Sequence, residues 1–576
     1  MVGLDNFRRN GWKASGRTLA IALRIFLILL FVAVTNSGFT QRLNVILDQG
    51  RWTAALAFIG VWAICLATLL AAALQPRLWA RAIWGVVFAL GTILGLGFRD
   101  LSGSELSVFD FLSLWSARND AVRALDFFGA EAWWLVLVVV LTIVVVTAAP
   151  VPTHPTTRRW LSRLGWSPVL PIAAISTILL LKQGSGAAGL PTQFAPISIA
   201  AASGVVLATS PIPERAKVVW QPKAPTIRKI VLLVDESVRG DFIEWSPGNP
   251  YTPKLAALKP RIVDFGPASS AGLCSNYSNA LLRFAASRNG LGRQLLVNPT
   301  IWDYAHRAGF RTVYIDAQAA FYRDPGKLVN FMTPDEARQV DGYHALTTDV
   351  AGYALDYKLL DIVAEELKSE QPVFIYANKN GAHFPYDRTY PEWQRVFRPT
   401  MTEAGRDGMT LRINSYRNAI KWAVDGFFGQ LFRELDLKDT LILYTSDHAQ
   451  QFDPRFVPHC GVEDPDPHTA LVPLFAITEQ EDLRARLSAA AHASEGHGTH
   501  FALVPTILEL MGYATEDVSS RYSDSLLRPN QQPPFFTSGD IFGLFSNKVL
   551  THPIDPKKLA GMTNHRSESM QIGSSH

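Results

Sequence analysis

Two short clusters of acids and histidines stand where β-branched runs end. The run 229–234 leads straight into Asp235, Glu236 and Ser237, and the run 440–445 leads into Ser446, Asp447 and His448. A carboxylate in such a place can serve as a plain helix cap. An adjacent Asp and His is harder to account for as a turn former, because a solvated turn has no use for the imidazole. Brought together, Glu236, Asp447 and His448 make a carboxylate and imidazole set suited to zinc, with manganese second, leaving a position open for a reacting group. Between them, 268–279 reads ASSAGLCSNYSN, small and hydroxyl residues that open a helix. The orphan N–H groups of a helix start favour a bound phosphate or sulfate, although a Ser/Asn-rich cap has the same composition. His383 in GAHFPYDRTYP and His459 in VPHCG occupy Pro- and Gly-containing stretches. Either alone would be an ordinary surface histidine, so the reading rests on their co-occurrence.

The elements that must position these residues are short strands alternating with helices. Strand-like runs lie at 230–234, 311–315, 373–377, 440–445 and 472–477, and helical patterns at 355–367 and 501–511. This alternation predicts an α/β/α sandwich with a mostly parallel sheet. In such folds ligands collect just beyond the carboxyl ends of the strands, which is where both clusters sit.

Apolar residues are concentrated in the first third of the 576-residue chain, so two unlike parts are expected. Five stretches approach the roughly 20 residues that cross a bilayer: 18–39, 52–74, 78–98, 133–149 and 167–181. Trp52, Trp79, Trp133, Trp134 and Trp166 flank them as interfacial anchors. Arg8, Arg9, Lys13, Arg17, Arg77, Arg81, Arg158, Arg159 and Arg163 fall on one side of this arrangement. The positive-inside rule therefore puts the N-terminus in the cytoplasm and everything after the fifth span outside. The first span is too long for a cleaved signal and reads as an uncleaved helix. Residues 1–184 are thus expected to be a transmembrane domain, 185–227 a Pro- and Gly-rich linker, 228–560 the catalytic domain and 561–576 a polar tail. A net charge of +4, with no run of five basic residues, excludes a nucleic-acid binder. Cys65 lies in the second span, which leaves Cys274 and Cys460 as the pair available to an exported domain. Spacing does not decide whether they join.

These motifs jointly resemble the bacterial lipid A phosphoethanolamine transferases of the alkaline phosphatase superfamily. In that family a strand runs into GET, and LLVDESVR places Glu236 at the metal-binding glutamate. SAGLCSNYS aligns without a gap to SCGTSTAYS, which puts Ser275 at the nucleophilic and metal-facing threonine. SDHGES matches Ser446, Asp447 and His448, GSHGPTYYNRYP matches the stretch of His383, and YLHG matches that of His459. The resemblance implies one zinc, or two, held by Glu236, Ser275, Asp447 and His448, with Ser275, His383 and His459 catalytic. It also implies a monomeric inner-membrane enzyme with a periplasmic catalytic domain. The reaction would move phosphoethanolamine from a phospholipid donor to a lipid or glycan acceptor such as lipid A. Departures are Ala271 in place of the first motif cysteine, Ala449-Gln450-Gln451 in place of GES, and few cysteines overall. The sulfatase motif CxPSR would put a formylglycine at Cys274, but Asn276 replaces its proline and its arginine is missing. Phosphoglycerol transfer, a sulfatase or phosphodiesterase, and a lipid-binding scaffold are the competing readings.

Overall fold

Hydropathy draws the first division of the structure. In a computed structural model, the residues described are all except 1, 37, 49, 103–104, 109, 112–132, 150, 153, 211–213, 319–329, 347–349, 454–457, 461–464, 546–548 and 562–576. The tail expected at 561–576 lies almost wholly outside them. The chain divides between Pro211 and Ile212 into two compact units.

The first unit is helical: α1 (Val2–Thr35), α2 (Gly38–Asp48), α3 (Trp52–Leu74), α4 (Leu78–Ser102), α5 (Trp133–Thr147), α6 (Pro155–Arg163), α7 (Val169–Leu181) and α8 (Ala195–Thr209). Among the described residues four helical stretches are long and apolar enough to cross a membrane: Thr18–Thr35, Trp52–Leu74, Leu78–Arg99 and Pro155–Leu181. The expected span at 133–149 is the 15-residue α5, shorter than these four. The downstream Pro150 forbids its continuation. The segment expected to be a linker contains α8, whose Ile199 and Ala202 are fully buried. Its Ala, Ser and Pro content suggested a loop, yet small residues are what close helix packing in lipid requires. Leu19, Leu56, Leu170 and Leu181 point outward, as a lipid solvent allows. Arg24, buried in α1, donates to the carbonyls of Ala73 and Val146 at the C-terminal ends of α3 and α5, where helices leave carbonyls unpaired.

The second unit is built on an eight-stranded mixed sheet. Its strands are β1 (Lys229–Asp235), β2 (Ile262–Ser269), β3 (Arg311–Asp316), β4 (Gly342–Ala345), β5 (Val373–Asn378), β6 (Thr440–Ser446), β7 (Leu471–Thr478) and β8 (Gly498–Thr499). They lie in the order β4-β3-β5-β1-β6-β7-β2-β8, and only β7 runs against the others. Ile230, Leu232 and Val234 join one core cluster with Trp302, Leu503 and Ile507. The alternate residues Val231 and Leu233 are buried too, so the sheet is covered on both faces. All five expected strands are present, as β1, β3, β5, β6 and β7. β2 was not foreseen because its Gly266-Pro267 step reads as a turn; a register shift between Asp264 and Pro267 absorbs it. A hairpin of β9 (Phe535–Ser538) and β10 (Leu550–Pro553) follows.

The helix α9 (Ser275–Arg283), which follows β2, is anchored at its far end. Arg283, fully buried, donates from Nε to Glu336 at 2.7 Å and from Nη2 to the Asn330 carbonyl at 2.8 Å, while Trp302 donates to the same Glu336 carboxylate. Removing one partner of a buried pair leaves the other charge unpaired. Arg283→Met is therefore expected to cost about 3–5 kcal/mol of stability, read as a fall in the midpoint of thermal unfolding. An unchanged midpoint would show that the pair does not anchor α9.

Candidate functional site

The site grows from strand register. β1 and β6 are parallel neighbours with Asp235 paired to Ser446, so the next residue of each strand, Glu236 and Asp447, leaves the sheet at adjacent points. The Asp447 N–H donates to the Asp235 carbonyl at 2.8 Å and fixes this exit. Glu236, Asp447 and His448, all buried, bring one possible ligand atom each within 4.8 Å of the others. His448 Nε2 lies 3.3 Å from Glu236 Oε1, 3.7 Å from Asp447 Oδ2 and 3.0 Å from Ser275 Oγ. Ligands roughly 2.0–2.1 Å from a tetrahedral cation stand roughly 3.3 Å apart, so the set has the dimensions of a metal site.

The remaining lone pairs are assigned in a way that leaves one atom aimed at the centre. Asp447 Oδ1 accepts from the N–H groups of Ser237 and His448, at 3.0 and 2.7 Å, while Oδ2 is buried with no hydrogen-bond partner among the described residues. An unpaired buried carboxylate oxygen is costly unless a cation meets it. Glu236 is held by Ser237 Oγ at 2.5 Å and by Gln318 Nε2 at 2.7 Å. Ser237 takes a left-handed φ of 63°, a conformation that a non-glycine residue adopts at some energetic cost.

Proton affinities carry the same message. Burial and the charge of Glu236 push the Asp447 carboxyl well above its ordinary range. Burial would lower His448, yet the carboxylates of Asp447 and Glu236 raise it to about 9. Burial would also raise Glu236, but its bond to His448 and the charges of His448 and His383 hold it well below. The cluster thus gathers protons where a divalent cation would replace them.

Asp235, one residue before Glu236, has a different fate. Its Oδ2 is taken by Lys379 Nζ, fully buried, and by Tyr444 Oη at 2.8 Å, so it faces away from the centre into an ion pair. The turn that follows Lys379 reaches His383 through Gly381, whose φ is +55°. Any Cβ at Gly381 would stand under 3.0 Å from the Asp235 carboxylate and the Glu236 backbone, so the GAH pattern is a packing requirement.

Ser275 is the first residue of α9, and its N-cap Cys274 makes no side-chain capping bond. Cys274 is joined to Cys460 in a disulfide. His459, the residue before Cys460, stands beside the cluster: its ring stacks on His448 with centroids 4.3 Å apart, and the His383 ring lies 6.0 Å from it. Burial, then the neighbouring His448 and His383, push the His459 imidazole well below its ordinary value, so it is neutral. All six residues singled out by the sequence therefore stand at one end of the sheet.

Comparison with known proteins follows this geometry. The sulfatase family model matches residues 228–513. This part of the chain is a sulfatase-family domain. The fold is similar to that of the integral membrane protein lipooligosaccharide phosphoethanolamine transferase A from Neisseria meningitidis, at a TM-score of 0.61 and 18% identity, covering 88% of this chain and 99% of that one. The C-terminal periplasmic domain of EptC from Escherichia coli matches with a TM-score of 0.45 and 18% identity over 58% of this chain and 97% of its own. The lipoteichoic acid synthase LtaP from Listeria monocytogenes matches with a TM-score of 0.38 and 14% identity over 62% and 96%. No curated protein sequence matches the chain.

Sequence reasoning missed two residues that hold the sulfatase-family domain's centre in place, Gln318 and His500. His500 is buried; its Nδ1 accepts from the Ala271 N–H at 3.1 Å, so its Nε2 carries the proton toward Thr445 Oγ1 at 2.8 Å. It thus ties the segment before Ser275 to β6. Nothing in GTHF marked it, since the requirement for a neutral imidazole there comes from tertiary contacts.

Two outcomes follow. Asp447→Asn and His448→Ala are each expected to lose most of the metal that purified wild-type protein retains, because a site short of one of three protein ligands is incomplete. Elemental analysis measures this, and full occupancy in both variants would place the metal elsewhere. Burial also lowers the His500 pKa to about 3. An unfolded histidine titrates near ~6.5, so the unfolded chain binds the extra proton first. The contribution of His500 is complete above about pH 6.5 and is lost as pH falls toward about 3, by about 1.4 kcal/mol per pH unit. Thermal unfolding from about pH 7 to about pH 4.5 should be steeper in pH for wild type than for His500→Gln. Parallel slopes would show that His500 is not buried neutral.

Proposed function

We propose that this chain is a metal-dependent phosphoethanolamine transferase, anchored in a bacterial inner membrane by its N-terminal helices with the sulfatase-family domain in the periplasm. The observation that carries this reading is the Ser275 hydroxyl at the start of α9, 3.0 Å from His448 Nε2 inside the Glu236, Asp447 and His448 cluster. The name of the Neisseria protein, whose fold extends over 88% of this chain, gives the group transferred and the class of acceptor. A disulfide in the catalytic unit fits an oxidising compartment.

Glu236, Asp447 and His448 would hold the cation, zinc foremost, with Ser275 beside it. Bound there, the ion would supply Lewis acidity, lowering the pKa of the Ser275 hydroxyl and offsetting phosphoryl charge. Ser275 Oγ attacks the phosphorus of phosphatidylethanolamine, a bond from Oγ to phosphorus forms, and the bond from phosphorus to the diacylglycerol oxygen breaks. The proton lost by Ser275 reaches the departing alkoxide through His459, stacked on His448, or through His383, whose ring lies 6.0 Å from that of His459. The free N–H end of α9 favours the phosphoryl anion. In the second half, an acceptor hydroxyl attacks the phosphoserine-type ester, passes its proton to the same imidazoles and restores Ser275.

A sulfatase of the formylglycine type would need Cys274 as a free thiol to be oxidised. Its sulfur is bonded to Cys460, and the hydroxyl that faces His448 belongs to Ser275. Incubation with phosphatidylethanolamine followed by peptide mass spectrometry is expected to find phosphoethanolamine on Ser275, with release of diacylglycerol. Ser275→Ala should abolish both while keeping the fold. An adduct at another residue, or normal turnover by the variant, would overturn the assignment.

A further inference from the structure

The disulfide joins the neighbours of two reacting groups: Cys274 precedes Ser275 and Cys460 follows His459, across 186 residues of sequence. We propose that the Cys274–Cys460 bond is a positioning element of the transfer site, holding His459 against His448 and Ser275. The proposal rests on the roles assigned to Ser275 and His459 above.

The argument begins with what else could hold the His459 ring. His448 is fixed by a hydrogen bond from its own Nδ1 to the Ala449 carbonyl at 2.9 Å, and His500 by contacts on both nitrogens. His459 Nδ1, by contrast, is buried without a hydrogen-bond partner among the described residues. Through Nδ1 the ring gains no hold among the described residues, which leaves stacking on His448 and the course of its backbone to place it. Two backbone bonds locate that stretch: the Gln451 N–H donates to the Pro458 carbonyl at 2.8 Å, and the Cys460 N–H donates to the Leu273 carbonyl at 3.0 Å. The second lies beside the disulfide and ties the same two segments. Cys460 also has a left-handed φ of 67°, a conformation that a side chain other than glycine's disfavours. Such strain persists only where surrounding structure holds it, and the bond to Cys274 and the hydrogen bond to the Leu273 carbonyl both act at Cys460. Cys274 belongs to the apolar cluster around α9, with Leu273, Tyr277 and Leu281, and Cys460, partly buried, packs against the same cluster, so the bond is seated on a core at both ends. The bond makes that packing covalent one residue from His459.

Misplacing a reacting group by 1 Å can cost on the order of a hundredfold in rate. In full-length enzyme in lipid nanodiscs, Cys274→Ser with Cys460→Ser is expected to lower kcat for diacylglycerol release by about tenfold or more, with KM for phosphatidylethanolamine and metal content close to wild type. A loss of folding would give a different pattern, with metal content falling too. The decisive readout is a double-mutant cycle. His459→Ala should cost about a hundredfold in the disulfide-bonded protein but only a few-fold in the disulfide-free one, because the group is already displaced there. Additive losses, or an unchanged kcat without the disulfide, would overturn the proposal. Should the serine pair misfold, reduction of folded wild type with a phosphine and subsequent reoxidation replaces it: kcat should fall and then return, and constant kcat with both thiols exposed to titration would overturn the proposal. Wild-type turnover by His459→Ala alone would instead remove the role of His459 on which it rests.

Discussion

Two carboxylates emerging side by side from adjacent parallel strands impose the chief electrostatic constraint on the catalytic unit. Glu236 and Asp447 are both fully buried, and like charges about 4 Å apart repel by roughly 4 kcal/mol at an effective dielectric near ~20. The register of β1 against β6 makes this encounter unavoidable. It has to be relieved by positive charge, and the neighbouring imidazole of His448 is the protein's own partial answer. The donors around it, Ser237, Gln318 and the strand-end amides, occupy three of the carboxylate oxygens and leave Asp447 Oδ2 facing inward. A cation site is the arrangement in which every one of these groups has a partner.

Asp235 shows how sharply position decides chemistry. It differs from Glu236 by one residue and one methylene, yet alternation along β1 turns it toward Lys379 and Tyr444. That buried pair binds β1 to the segment after β5, from which His383 springs. The same strand end therefore supplies both a member of the acid and histidine cluster and the brace for a loop that borders it.

Much of this was legible because strand ends and chemistry coincide in the sequence. DES after a β-branched run and SDH after another needed only a parallel pairing to bring Glu236, Asp447 and His448 together, and the five β-branched runs became five strands. The illegible parts have physical causes. Gln318 and His500 carry no local pattern, since their work is to satisfy atoms from distant segments. The pairing of Cys274 with Cys460 depends on where a loop returns after 186 residues, which spacing does not encode. In the helical unit, α8 was taken for linker because small residues suit both loops and tight helix contacts.

The nucleophile segment is held down by parts of the chain made much later. Ala271 receives its amide partner from His500, and its carbonyl accepts from the N–H and hydroxyl of Thr537 in β9, while Ser269 Oγ donates to the Phe535 carbonyl. A chain made from its N-terminus delivers Ser275 well before these fasteners. During that interval the serine is present but its setting is unfinished. The segment that leads into α9 is thus closed from two sides by residues more than 200 positions downstream, so its shape is complete only when β9 is in place.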